Sequence, residues 1–398
     1  MSAPAFSTAA FPSWPFWDAD EEQRLQSVLK SGLWGSSRGP HANGFAAAFA
    51  RFQGASIGLA LANGTCTLET ALVACGIGHG DEVVVPALTF MATAGAVLRV
   101  NAVPVIVDVD PNSLCIDVDA LVAAITPRTR AVIPVHLAGA MCDMDRLVSL
   151  CERGGLALIE DCAHAHGSRW SGRGAGTFGV FGSFSFQQSK LMTAGEGGAL
   201  ITSDENLAAA ARSYLNCGRR AGGHTYDHVR LGVNYRMTDW QGSILAAQLD
   251  RYPGQLALRE ANADRLSAAL TRIPGLRPQA RDPRIDVHAQ YCYVFHYDAA
   301  EFGGLPADAF EEELKAEGVP MSGSYPSLPE LAMFKVEGAL APHTIGLPAG
   351  YRPAPCPVAR DAAASTIWLH HRVLLAEPET VLRIAELCER IRAQAKGR

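Results

Sequence analysis

Between residues 55 and 202 the chain alternates short, nearly unbroken apolar runs with longer stretches whose apolar positions recur every three or four residues. The short runs predict strands at Ile57–Ala62, Glu82–Pro86, Val103–Val107, Ala131–Val135, Ala157–Glu160, Ser183–Phe186 and Gly198–Thr202. The longer stretches predict helices at Thr65–Cys75, Phe90–Arg99, Val118–Ile125 and Met144–Arg153; in the last, Met144, Leu147, Val148 and Cys151 share one face. Strands without a polar face are covered on both sides. The pattern therefore implies an α/β domain with a mostly parallel central sheet sandwiched by helices.

After Thr202 the character changes. Asp204–Asn216 and Asp239–Arg272 read as helices, the second with an expected break near Pro253, where a backbone donor is missing. From about residue 290 the pattern is α+β: a strand at Cys292–Tyr297, a helix at Ala307–Glu317, a loop rich in Pro, Gly and Ser at Gly318–Pro329, and helices at Val358–Ala364 and Pro378–Ala395. This divides the chain into a large domain over residues 1–255 and a smaller α+β domain over 256–398. A length of 398 residues suits two such bodies.

Composition narrows the function classes. Thirty-four basic against 40 acidic residues give a net charge of −6, which argues against a nucleic-acid partner. No apolar run is long enough to cross a membrane, and the first residues lack a basic stretch followed by an apolar core, so a cytoplasmic protein is expected. The ten cysteines are scattered without a CxxC pair, as free thiols rather than a disulfide framework.

The candidate chemistry lies in the first domain. Gly76, Gly78 and Gly80 follow a helix and precede a strand, the reverse of a dinucleotide fingerprint, and read as a helix cap and turn. Glu160-Asp161-Cys162-Ala163-His164-Ala165-His166 invites a metal reading, but acids coming off a strand point to opposite faces, so no metal site is expected. Asp161 instead stands at the carboxyl end of a central strand, where open α/β sheets bind ligands and a carboxylate can hold a cationic ring nitrogen. Lys190 follows a strand among apolar and small residues, a setting that lowers an amine's pKa and suits Schiff-base chemistry. Asn63-Gly64-Thr65-Cys66 joins a strand to a helix N-terminus, a ready phosphate cradle. Lysine, ring-nitrogen acid and phosphate cradle together are the parts of a pyridoxal phosphate enzyme.

With Ser185…Lys190…Gly195-Glu196-Gly197-Gly198, Glu160-Asp161-Cys162-Ala163-His164 and Asn234-Tyr235-Arg236-Met237 in this order, the chain resembles the DegT/DnrJ/EryC1/StrS family of sugar and aminocyclitol aminotransferases, pyridoxal-phosphate enzymes of fold type I. The resemblance implies that Lys190 forms the Schiff base and shuttles the proton, and that Asp161 pairs with the ring nitrogen. It puts Phe90 against the cofactor ring, His164 near its phenolic oxygen in place of the more usual glutamine, and Gly64, Thr65 and Ser185 on the phosphate. Asn234 matches a residue that reaches the phosphate of a neighbouring subunit, so the resemblance also implies a homodimer with shared sites.

Trp368-Leu369-His370-His371-Arg372 looks like the C-terminal segment of the aminocyclitol and aminohydroxybenzoate branches. The Gln187-Gln188-Ser189-Lys190 loop is similar to that of glutamine-dependent inosose aminotransferases, and it departs from the Asn-Gly that aminohydroxybenzoate synthases carry before the lysine. The implied reaction moves an amino group from L-glutamine or L-glutamate to a keto-cyclitol or keto-sugar by a ping-pong mechanism. His370 or His371, with Arg236 and Tyr325, are the candidate substrate contacts. An aromatising aminohydroxybenzoate-type synthase and a non-catalytic cofactor-binding regulator are the alternatives.

Overall fold

A computed structural model describes residues 4–7, 9–335, 346–348 and 350–397. A central seven-stranded sheet is built from β1 (Ile57–Leu61), β2 (Glu82–Pro86), β3 (Val103–Val107), β4 (Thr129–Val132), β5 (Ala157–Asp161), β6 (Phe181–Ser185) and β7 (Gly198–Thr202). Its order is β1-β7-β6-β5-β4-β2-β3. The pairs β3/β2, β2/β4, β4/β5 and β5/β6 are parallel, whereas β7 runs antiparallel to both β6 and β1. The fold is thus α/β with a mixed, mostly parallel sheet. Val83, Val84 and Val85 of β2 are fully buried, so helices cover both faces, and each such side chain contributes about 1.5–3 kcal/mol.

The helices flanking this sheet are α1 (Ala19–Ser31), α2 (His41–Gln53), α3 (Gly64–Ala74), α4 (Ala92–Arg99), α5 (Val118–Ala124), α6 (Met144–Gly154) and α7 (Glu205–Leu215), followed by the long α8 (Asp239–Leu270). Two sequence expectations shift by local chemistry. The strand expected to reach Val135 ends at Val132, because Pro134 has no N–H for the ladder; Val135 keeps a single bridge to Asp161. The helix expected from Phe90 begins at Ala92, which leaves Phe90 half exposed above it.

One expectation is corrected outright. α8 runs unbroken through Pro253. A capping box of Thr238 and Gln241 starts it, and Tyr252 and Leu256 are buried on either side of the proline. Their packing outweighs the roughly 3 kcal/mol that an interior proline costs.

A second sheet is wholly antiparallel: β8 (Leu276–Pro278), β9 (Cys292–Tyr297) and β10 (Thr366–His370), with β9 in the middle. It acts as a partition. Cys292, Val294 and Trp368 face the core of the large sheet, while Tyr293, Phe295, Tyr297, Ile367 and Leu369 face a second hydrophobic cluster, as the two-residue period of a strand requires. α8 spans both clusters, with Leu245, Tyr252 and Leu256 in the first and Ala263, Leu266 and Leu270 in the second. Phe6 and Phe11 also enter the second cluster, so the start of the chain packs with its end. Among the described residues no helix is long and apolar enough to cross a membrane, and all ten cysteines are free thiols.

Candidate active site

The carboxyl ends of β5 and β6, the N-terminus of α3 and the β9–β10 partition enclose a cavity of about 950 Å³. Of the residues singled out from sequence, Gly64, Thr65, Phe90, Asp161, His164, Ser185, Lys190, Tyr325 and His370 line it. Asn234, Arg236 and His371 do not.

Lys190 sits in the loop after β6, anchored by its N–H to the Gln187 carbonyl at 2.8 Å. Its ammonium stands 4.3 Å from the centre of the Tyr291 ring. Burial pulls the amine down to about 8, against the opposing pull of Asp161 and Cys292. At neutral pH a useful fraction is therefore unprotonated.

Asp161 ends β5. Its carboxylate accepts from Thr93 Oγ1 at 2.9 Å and from the Ala163 N–H at 3.2 Å. Burial raises its pKa despite these donors and the Lys190 charge. It is a buried acid with room for one more positive partner.

The α3 terminus follows from sequence. Asn63 caps it by accepting the Cys66 N–H at 2.9 Å, which leaves the first-turn N–H groups of Gly64 and Thr65 toward the cavity. Glycine is required at 64 because a Cβ there would lie 2.7 Å from the Ser185 Cβ. The close approach brings the Ser185 hydroxyl beside the helix end.

His164 is buried and stacked on Tyr291, with ring centres 3.9 Å apart. Burial holds it neutral, and the neighbouring Lys190 and His166 charges act in the same direction. Its Nδ1 accepts from the Ala138 N–H at 3.3 Å and its Nε2 lies 3.2 Å from the Tyr325 hydroxyl.

Of the two adjacent histidines, His370 lines the cavity, pulled down to about 4 chiefly by burial. His371 is a packing residue instead: its Nε2 reaches the Ser189 carbonyl, its Nδ1 faces Arg259 and Trp14 packs edge-on against its ring. Expected as a substrate contact, it lies behind the lysine loop, because successive residues leaving a strand face opposite sides. Arg236 is likewise turned away, onto Asn216 Oδ1 at 2.8 Å. Asn234 is exposed, on a segment bridged to Asn216.

Tyr291, Thr93 and Ser189 were not singled out from sequence. Thr93 falls one helical turn after Phe90, a spacing that signals a shared face. Tyr291 stands just before β9, about a hundred residues from Lys190, and no local pattern marks it.

His136, Glu160 and Cys162 come close enough together to suggest a metal. The donor atoms of His136 and Glu160 are committed, however. His136 Nδ1 accepts from the Cys142 N–H, so its Nε2 carries the hydrogen given to Glu160. Glu160 also takes the N–H groups of Gly176, Phe178 and Gly179.

Comparison with known proteins follows this geometry. A family model described as the DegT/DnrJ/EryC1/StrS aminotransferase family matches residues 15–388. The chain is 38% identical, over 94% of its length and 92% of the relative's, to an L-glutamine:2-deoxy-scyllo-inosose aminotransferase of Streptomyces kanamyceticus. It is 38% identical to a 3-amino-5-hydroxybenzoate synthase of Amycolatopsis mediterranei, covering 93% of this chain and 94% of that one. A crystal structure of 3-amino-5-hydroxybenzoic acid synthase superposes with a TM-score of 0.88 at 36% identity, covering 96% of this chain and 99% of that one.

Proposed function

Since this chain belongs to the DegT/DnrJ/EryC1/StrS aminotransferase family and is an aminotransferase, we propose that it carries an amino group from L-glutamine or L-glutamate to a keto-cyclitol of the inosose type, or to a related keto-sugar, with pyridoxal phosphate as cofactor. The observation that carries the reading is the buried pair at the cavity floor. Lys190 is an amine brought near neutrality, and Asp161 is an enclosed acid with unfilled acceptor capacity.

The residues fit the cofactor. The Gly64 approach to Ser185 and the α3 N-terminus make a cradle for a dianion, and Asp161 offers a counter-charge for a pyridinium nitrogen. When bound, pyridoxal phosphate supplies an aldehyde that condenses with amines and a ring that takes up an electron pair. Gly64, Thr65 and Ser185 would hold the phosphate, Phe90 would lie against the ring, and Asp161 would keep the ring nitrogen protonated. Lys190 would move the proton at the donor's α-carbon, a task for which an amine near 8 is matched to neutral pH.

The wall opposite supports a neutral, hydroxyl-bearing acceptor. It presents Ser322, Tyr325, Trp368 and a neutral His370. Apart from Lys190, Arg99 is the cavity's cation among the described residues, and Glu69 holds it at 2.7 Å.

The exposed Asn234, outside its own cavity, supports the homodimer in which it reaches the neighbour's phosphate. Asn234→Ala is expected to weaken pyridoxal phosphate binding, and mixed dimers to show one impaired class of site. Equal affinity at both sites would remove the shared-site reading.

The function is tested by recording the visible spectrum of the cofactor-loaded protein and adding glutamine and glutamate separately, then a keto-cyclitol. The expected result is bleaching by one donor and recovery with the ketone. A band that neither donor moves would overturn glutamine and glutamate as the donors, and release of an ultraviolet-absorbing aromatic product would point to a synthase.

A further inference from the structure

Hydrogen bonds around Lys190 can be given a direction, because each group has a fixed number of hydrogens to donate. Ala138 takes a left-handed backbone conformation (φ 57°), rare for a residue with a side chain, and aims its N–H at His164 Nδ1. A backbone N–H only donates, so Nδ1 is bare, and in a neutral ring the hydrogen is on Nε2. Nε2–H therefore donates to the Tyr325 oxygen at 3.2 Å.

The far end is fixed in the same way. The Ser189 N–H donates to Gln187 Oε1 at 2.9 Å, which settles the orientation of that amide. The Ser189 hydroxyl also donates to Oε1, at 2.8 Å, so at 2.9 Å it must accept from the Tyr291 hydroxyl. Tyr291 has then spent its hydrogen and has none to give to Tyr325. The network is directed: Ala138 donates to His164 and His164 to Tyr325, while Tyr291 donates to Ser189 and Ser189 to Gln187.

Within it, His164 has both nitrogens engaged, and Tyr291 and Ser189 have their hydrogens spent inward. Tyr325 differs. It lines the cavity, and rotation about its C–O bond turns its hydrogen toward an oxygen in the cavity while it keeps accepting from His164. An O–H that accepts a hydrogen bond is the stronger donor for it. Burial also holds its pKa well above the ordinary value, so it stays protonated.

We propose that Tyr325, not His164, is the side chain that donates to an oxygen of the molecule bound in this cavity, and that His164, itself held by its stack on Tyr291, is its positioning residue. The idea rests on the cavity being the reaction site. The oxygen belongs to the ring hydroxyl of pyridoxal phosphate or to a hydroxyl of the acceptor, and the experiment separates the two.

Histidine-labelled protein without ligand is first examined by long-range ¹H–¹⁵N NMR, with His164→Gln to assign the resonance. A neutral His164 with its hydrogen on Nε2 is expected; a hydrogen on Nδ1 would overturn the direction of the chain. Tyr325→Phe, checked for wild-type unfolding, is then compared in three respects. If the partner is the cofactor, its visible band shifts and its affinity falls about tenfold. If it is the acceptor, band and affinity hold while the acceptor KM rises about tenfold and the donor half-reaction is unchanged. Tyr325→Phe equal to wild type in band, cofactor affinity and acceptor KM would sink the proposal. Absence of turnover with every ketone would instead count against the functional reading and leaves the tautomer and cofactor measurements to decide this one.

Discussion

On the packed face of β5, Glu160 is fully enclosed and takes four hydrogens: from Gly176, Phe178 and Gly179 N–H groups and from His136 Nε2. One residue on, Asp161 faces the cavity and takes two, from Thr93 and Ala163. Both are buried carboxylates on one strand. One has its acceptor capacity filled by the fold, while the other is left short and is opposed across the cavity by an amine. The saturated acid is part of the scaffold; the unsaturated one is the place where a ligand completes the bonding. Substitutions on the two faces should accordingly separate stability from activity.

Lys190→Ala gives the widest separation. Transamination is expected to fall by about 10⁴-fold or more, because both the attacking amine and the proton carrier are lost. The protein should still take up pyridoxal phosphate non-covalently and unfold at no lower denaturant concentration than wild type. Full activity in this variant would end the assignment.

Glu160→Ala is the converse. It leaves three backbone N–H groups and the His136 N–H buried without an acceptor, at an expected cost of about 3–5 kcal/mol in urea unfolding. Next comes Asp161→Asn, which keeps the shape and loses the charge. Steady-state activity should drop by about 10²-fold or more, with stability within about 1 kcal/mol of wild type. If Asp161→Asn were the destabilised variant and Glu160→Ala the inactive one, the two faces would have been read the wrong way round.

This contrast was only partly legible in the sequence. The seven strands, the placing of Asp161 and Glu160 on opposite faces, and Lys190 after a strand all follow from short-range periodicity, which depends on neighbours a few residues away. What the sequence could not carry is which distant segment closes on them. Tyr291 and the Ser322 wall reach Lys190 only because the second sheet divides its alternate residues between two cores. His371 looked as promising as His370, yet it packs under Trp14 because the N-terminal segment lies across that side. Pro253 looked like a break, yet Tyr252 and Leu256 on either side of it are buried. In each case tertiary packing decided between options that local sequence left equal.

The smallest effect sharpens the comparison most, since it titrates one face alone. Lys190 is pulled from 10.5 to about 8, mainly by burial. Below pH 8 the amine is protonated in both folded and unfolded chains, and the folded state bears the full cost of a buried charge. As pH rises past 8 the folded chain releases its proton while the unfolded chain keeps it until near 10.5, so that cost recedes and stability increases with pH. Buried thiols and phenols such as Cys292 and Tyr291, whose pKa values are raised, act in the opposite direction over the same range. They are common to wild type and Lys190→Met, so the difference between these two proteins isolates the lysine. Urea unfolding of both without cofactor, from about pH 8 to about pH 9.5, should show wild type gaining roughly 1.5 kcal/mol on the variant. A constant difference would mean that the amine keeps an ordinary pKa, and that the cavity floor is no better prepared for chemistry than the packed face behind it.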